Sequence, residues 1–156
     1  MEKVTAEIEV DAPVRRVFDQ WSRLEELPSF MSMVEEVRRT GDDLTHWVVR
    51  VAGVRREFDA RTTELVPDER ISWVSVAEEM HSGSVRFTPL GADRTRVAVE
   101  MGWAPENFIE KAGAALHLDQ RAVEMDLKRF KENIEGEGRD GGDRDTVAGT
   151  DPDIAP

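Results

Sequence analysis

The chain has 156 residues, a formal charge of −12, and neither cysteine nor tyrosine. That length fits one domain with a single core, since domains commonly run to about 100–150 residues; the charge argues against nucleic acid, whose binding rests on clustered Lys and Arg; and without cysteine there is no disulfide framework or thiolate metal site. No apolar run reaches the roughly 18–20 residues of a membrane span and the first residues lack a secretory apolar stretch, so the expectation is a cytoplasmic protein with no membrane insertion.

Val4, Ala6, Ile8 and Val10 alternate with Thr5, Glu7 and Glu9, the period-two signature of a half-buried strand. Asp11 and Pro13 then suggest a helix start with an acidic cap, and Val14, Val17, Phe18 and Trp21 follow at helical spacing. A second brief turn spans Leu24 to Leu27 and ends at Pro28. Beyond it, short turns such as Gly41-Asp42-Asp43, Pro67-Asp68 and Gly91-Ala92-Asp93 punctuate runs rich in Val, Thr, Trp and Phe. Turns of that length join antiparallel neighbours, and they predict six further strands at 33–40, 44–52, 54–65, 70–77, 81–89 and 94–103.

From Pro105 to about Glu135 the apolar residues Phe108, Ile109, Ala112, Leu116, Val123, Leu127, Phe130 and Ile134 recur at helical spacing. One long helix is the element available to cover the greasy face of the strand meander, which predicts a cup with a lid. From Glu137 on, the composition shifts to Gly, Asp and Pro with little to bury, and ordering it would cost entropy that its few apolar atoms cannot offset. The expected organisation is one domain over 1–136 followed by a disordered acidic tail, 137–156.

The run from Val10 through Asp11, Ala12, Pro13, Val14, Val17 and Phe18 to Trp21 carries a family likeness, as does Pro28-Ser29-Phe30. With the six strands, the terminal helix and Val66-Pro67-Asp68-Glu69-Arg70-Ile71-Ser72-Trp73 at the middle hairpin, the chain resembles the START-like superfamily over roughly residues 3–136. Within it the chain looks most like the polyketide cyclase/dehydrase and lipid-transport group of small bacterial proteins. The resemblance implies an α+β helix-grip fold of the START/Bet v 1-like type: a seven-stranded antiparallel sheet wrapped around a long C-terminal helix, two short helices after the first strand, and a cavity between sheet and helix. Such a scaffold hosts carriers, sensors and enzymes alike.

Alternation assigns the concave face. Its candidate ligand-binding residues are Trp47, Val49, Phe58, Ala60, Thr62, Trp73, Phe87, Val99 and Met101 on strands, with Ala112, Gly113 and Leu116 on the helix. Trp47 and Trp73 suit stacking on a flat ligand, and equally suit a plain core. Arg50, Arg61, Arg86 and Arg96 fall on the solvent face, so the arginine that the resemblance implies for a cyclase has no inward counterpart. The candidate acid–base groups are Glu64, which continues the Phe58, Ala60, Thr62 alternation toward the cavity rim or is simply solvated at the strand end, and His117, on the covering helix. His46 and His81 lie on or beside strands without metal-ligand spacing. No metal or cofactor is implied. Three readings follow: binding or transport of a small hydrophobic molecule such as a lipid, quinone or polyketide-like aromatic; an aromatase/cyclase acting on a polyketide intermediate; or a non-enzymatic regulatory or structural partner whose cavity is filled by its own side chains.

Overall fold

The computed structural model describes residues 2–51, 53–77, 81–104 and 120–148. All seven strands are antiparallel: β1 (Glu2–Val10), β2 (Val34–Arg39), β3 (Leu44–Val51), β4 (Val54–Val66), β5 (Arg70–Ser75), β6 (His81–Gly91) and β7 (Arg94–Trp103). They form one sheet in the order β1-β7-β6-β5-β4-β3-β2. After β1 the chain leaves the sheet for α1 (Val14–Ser22) and a 3-10 helix (Leu24–Ser29), then returns along the far edge. Meander hairpins follow, so each new strand pairs with its predecessor, and β7 closes the sequence beside β1.

Except at the end of β4, the inward rows are those that alternation predicts. Val4 and Ala6 face Met101 and Val99 across the β1–β7 register, and all four are buried. On α1 the buried face is Val17, Phe18 and Trp21, and Phe18 meets Phe87 edge-on with ring centroids 5.6 Å apart. Asp11 does not cap this helix. Pro13 occupies the cap position, with its carbonyl accepting from the Arg16 and Val17 amides, because the helix starts one residue after the proline and leaves Asp11 too far upstream.

The C-terminal helix, α2 (Gln120–Ala148), buries Val123, Leu127, Phe130 and Ile134, the second half of the apolar stripe. It is fastened along β1 by polar contacts: Gln120 Nε2 donates to Thr5 O at 2.5 Å, Lys131 Nζ to Glu9 O at 3.0 Å, and the Asp11 amide to Glu135 Oε2 at 2.8 Å. The Arg16 guanidinium donates to Ile134 O. Helical backbone runs on to Ala148. Once packed turns have nucleated a helix, each further residue adds a hydrogen bond at modest entropic cost. No described helix is long and apolar enough to cross a membrane.

Candidate functional site

The concave face at one end of the sheet carries a box of aromatic rings drawn from five consecutive strands. Trp47 of β3 and Phe58 of β4 are cross-strand partners stacked at 5.8 Å and 17°. Trp73 of β5 stacks on Trp47 at 5.6 Å and 27°. His81 of β6 lies 3.9 Å from Trp103 of β7, with the planes 26° apart, and 5.5 Å from both Trp47 and Phe58. Such ring pairs contribute about 0.5–1.5 kcal/mol each beyond their buried area, so the five rings hold one another in fixed orientations.

The indole nitrogens of Trp47 and Trp73 and both ring nitrogens of His81 have partners within the sheet. Trp47 Nε1 donates to Thr45 Oγ1 at 2.8 Å. Trp73 Nε1 donates to His81 Nε2 at 3.0 Å, and the opposite ring nitrogen, Nδ1, lies 2.8 Å from Gly102 O. Because Nε2 accepts and a carbonyl can only accept, the proton of the neutral ring sits on Nδ1. Complete burial drives the His81 pKa down to about 3, against a smaller upward pull from the Gly102 carbonyl. The ring is therefore neutral across the physiological range.

Of the strand residues expected to face a cavity, Trp47, Phe58 and Trp73 belong to this box, while Phe87 packs on Phe18 of α1. Trp47, Val49, Phe58, Ala60, Trp73, Phe87, Val99 and Met101 are all buried, and Thr62 is half-buried. Ala112, Gly113, Leu116 and His117 lie outside the described residues. Beyond the aromatic box, a surface crevice of about 570 Å³ runs between the 3-10 helix and α2. Phe30 and Phe130, which line it, are 2% and 0% exposed, as deeply buried as the rings of the aromatic box.

Glu64 is not on the concave rim. A β-bulge between Thr62 and Glu64 shifts the β4–β5 register, so Glu64 stands opposite Ser72 on the outer face. An extra residue in one strand reverses the inside–outside phase of all that follows. There Glu64 accepts from Ser72 Oγ at 2.9 Å and pairs with Arg70 at 3.2 Å, its side chain 45% exposed. His46 also belongs to the outer face, each ring nitrogen 2.9 Å from a carboxylate, Asp59 or Glu57. Those two bonds, Asp59 first, raise its pKa. The arginines expected outside are there too, Arg50 on Glu35 and Arg61 on Asp43.

Two buried polar groups escape a reading by residue type. His81 lies two alternation steps before Val85 in the inward row of β6, so extending that row through Gly83 reaches it. Asp126 sits in the apolar stripe itself, three residues after Val123 and four before Phe130. It is 1% exposed, and its carboxylate accepts from the Ser32 amide and hydroxyl, both at 3.2 Å, and from Arg129 at 3.1 Å. Arg129 also donates to Phe30 O at 3.0 Å. Together these bonds clamp the loop between the 3-10 helix and β2 onto α2. Desolvation raises the Asp126 pKa, the Ser32 and Arg129 bonds opposing it.

A curled seven-stranded antiparallel sheet gripping a C-terminal helix defines the helix-grip fold of the START-like superfamily. The chain belongs to the polyketide cyclase / dehydrase and lipid transport family, whose sequence profile it matches over residues 10–132. It is 43% identical over 143 residues to an uncharacterized 17.2 kDa protein of Streptomyces lincolnensis, covering 91% of this chain and 95% of that one. Among solved structures, it is similar to a Deinococcus radiodurans protein at 25% identity and a TM-score of 0.72, covering 87% of this chain and 99% of the other. It also shares its fold with the Zhui aromatase/cyclase of Streptomyces sp. R1128, at 18% identity, a TM-score of 0.64 and coverage of 88% and 93%.

Proposed function

We propose that the protein binds a small, flat, hydrophobic molecule, an aromatic or quinone-like compound in preference to a flexible lipid, against the aromatic box. The observation that carries this reading is the set of rings Trp47, Phe58, Trp73, His81 and Trp103 on the inward face of five adjacent strands. Planar rings favour offset-stacked or edge-to-face partners at about 4.5–7 Å, and affinity in such a site comes mainly from apolar burial. The buried polar side chains among the described residues, Thr45, Ser75, His81, Thr95 and Asp126, each have an internal hydrogen bond. That favours sequestration or carriage over acid–base turnover by these groups.

The test is native mass spectrometry of protein purified without denaturation, followed by tryptophan-quenching titrations with a hydroxyanthraquinone and with palmitate. The reading expects the aromatic probe to bind at least about tenfold more tightly, a difference of about 1.4 kcal/mol. Equal or tighter binding of palmitate would overturn the preference for flat ligands, and binding of neither probe, with no co-purified ligand, would favour a self-filled core. Turnover of an aromatic polyketide intermediate would instead support the cyclase reading.

A further inference from the structure

The β-bulge on β4 does more than turn Glu64 outward. Thr62 is the cross-strand partner of Trp73 and Leu65 of Ile71, so both keep to the inward face, with the extra residue Thr63 between the two pairings. Ile71 is 1% exposed, as that face requires, yet Leu65 opposite it is 57% exposed. Bulges recur beside functional sites, where they re-aim side chains, and here the re-aimed leucine forms one wall of a pocket. The pocket measures about 180 Å³ and lies between the start of the 3-10 helix, the turn from β2 to β3 and the bulged end of β4. Leu24 and Ile71 line it together with Leu65, Thr62 and Thr63. The Thr62 amide donates to Asp43 O at 2.8 Å, which fixes the turn against the bulge.

We propose that this pocket is a second binding site, for a small primary amine carried on a single apolar ring. Size sets the ring count: sites for drug-sized molecules run to about 300–1,000 Å³, so this one holds one ring and little more. Charge sets the head group. Of the charged side chains that line the pocket, Arg39 is paired with Glu25 at 3.3 Å, Asp43 with Arg61 at 2.9 Å and Glu64 with Arg70 at 3.2 Å. The Asp42 carboxylate alone has no partner among the described residues. An ammonium group would pair with it while the ring packs against Leu24, Ile71 and Leu65, and the overall charge of −12 acts in the same direction. An anion of equal size meets an unpaired like charge and is rejected.

The experiment titrates the full-length, ¹⁵N-labelled protein with phenethylamine, 2-phenylethanol and phenylacetate, which share a ring and differ in head group. The amides of Thr62, Thr63 and Leu65 should shift and saturate with phenethylamine at a Kd of about 1 mM or tighter. The alcohol should bind about threefold more weakly, the range of one exposed ion pair, and phenylacetate at least about tenfold more weakly than the amine. Asp42→Asn should erase the difference between amine and alcohol; Leu65→Ser should weaken both by about threefold or more. Both side chains are exposed, so these variants keep the fold, and Met125→Ser, an exposed apolar residue of α2, should bind as the wild type does. Absence of a saturable shift, phenylacetate binding as tightly as the amine, or affinity unmoved by Leu65→Ser overturns the proposal. So does a dimer, detected by light scattering, that Leu65→Ser abolishes, since a second copy would then cover the pocket. Shifts confined to the indole resonances of Trp47 and Trp73 would put the amine at the aromatic box, overturning this inference and leaving the earlier reading intact.

Discussion

Trp73 donates its indole hydrogen to His81 Nε2 over 3.0 Å, and that single bond decides which nitrogen of the buried imidazole carries the proton. With Nδ1 turned to Gly102 O at 2.8 Å, protonating the folded ring would force Trp73 to give up its acceptor. The folded pKa of about 3 lies below the ordinary 6.5. Between those values the unfolded chain binds the proton and the folded one does not, so stability falls as pH is lowered through this window, by about 1.4 kcal/mol per pH unit at most. Denaturant titrations from pH 7 to pH 4 should show that slope in the wild type and a shallower one in His81→Gln. Parallel slopes for the two proteins would mean that His81 is not held neutral.

Asp126 gives a prediction of opposite sign. Its folded pKa is raised above the ordinary 3.8, chiefly by desolvation, so the folded state holds the proton more tightly than the unfolded one. Stability from this group is fully present below about 3.8 and declines as pH rises through the folded value. Asp126→Asn, which cannot ionise, should therefore gain on the wild type as pH increases above 3.8. Asp126→Ala should be worse than either near neutrality, by about 2 kcal/mol, because the Ser32 and Arg129 donors lose their acceptor. Urea midpoints of the three proteins at two pH values would decide it; an alanine variant as stable as the asparagine one would mean that the loop clamp contributes nothing.

The bulge on β4 can be tested through Glu64. On the outer face and ion-paired with Arg70, it has no route to a ligand in the hollow. Glu64→Ala should leave affinity for a hydroxyanthraquinone within about twofold of the wild type and change stability by no more than about 1 kcal/mol, the range for exposed pairs. A tenfold loss of affinity would return the carboxylate to the rim.

Periodicity made most of this fold legible, since turn residues and alternation mark the same boundaries that backbone pairing produces. Strand order followed from short hairpins alone, and the inward rows of β3, β5 and β7 from counting by two. Alternation failed at Glu64 because a bulge is a change of register with no distinctive residue type; Thr62-Thr63-Glu64 reads as uninterrupted strand. The burial of His81 and Asp126 escapes alternation for a different reason. Burial of a polar side chain depends on partners distant in sequence, here Trp73, Gly102 and Ser32, and only position within an apolar row hints at it.

The docking of α2 supplies a final prediction. Phe130 is fully buried and meets Trp21 of α1 at 5.4 Å and Phe30 at 5.0 Å, while Trp21 and Phe30 are themselves edge-to-face at 5.0 Å. This trio joins α1, α2 and the loop that follows the 3-10 helix, at the end of the sheet away from the aromatic box. Phe130→Ala removes a ring from a packed site and should cost about 3–5 kcal/mol, a large part of the roughly 5–15 kcal/mol that domains of this kind possess. Because the box is built from other strands, a variant that still folds should bind a flat aromatic probe with affinity close to that of the wild type. Thermal unfolding and quenching titrations on the same sample separate the two effects: loss of binding in step with stability would mean that the two ends of the core act as one unit, whereas a lower melting temperature with retained affinity would place the docking of α2 and ligand capture in separate parts of the fold.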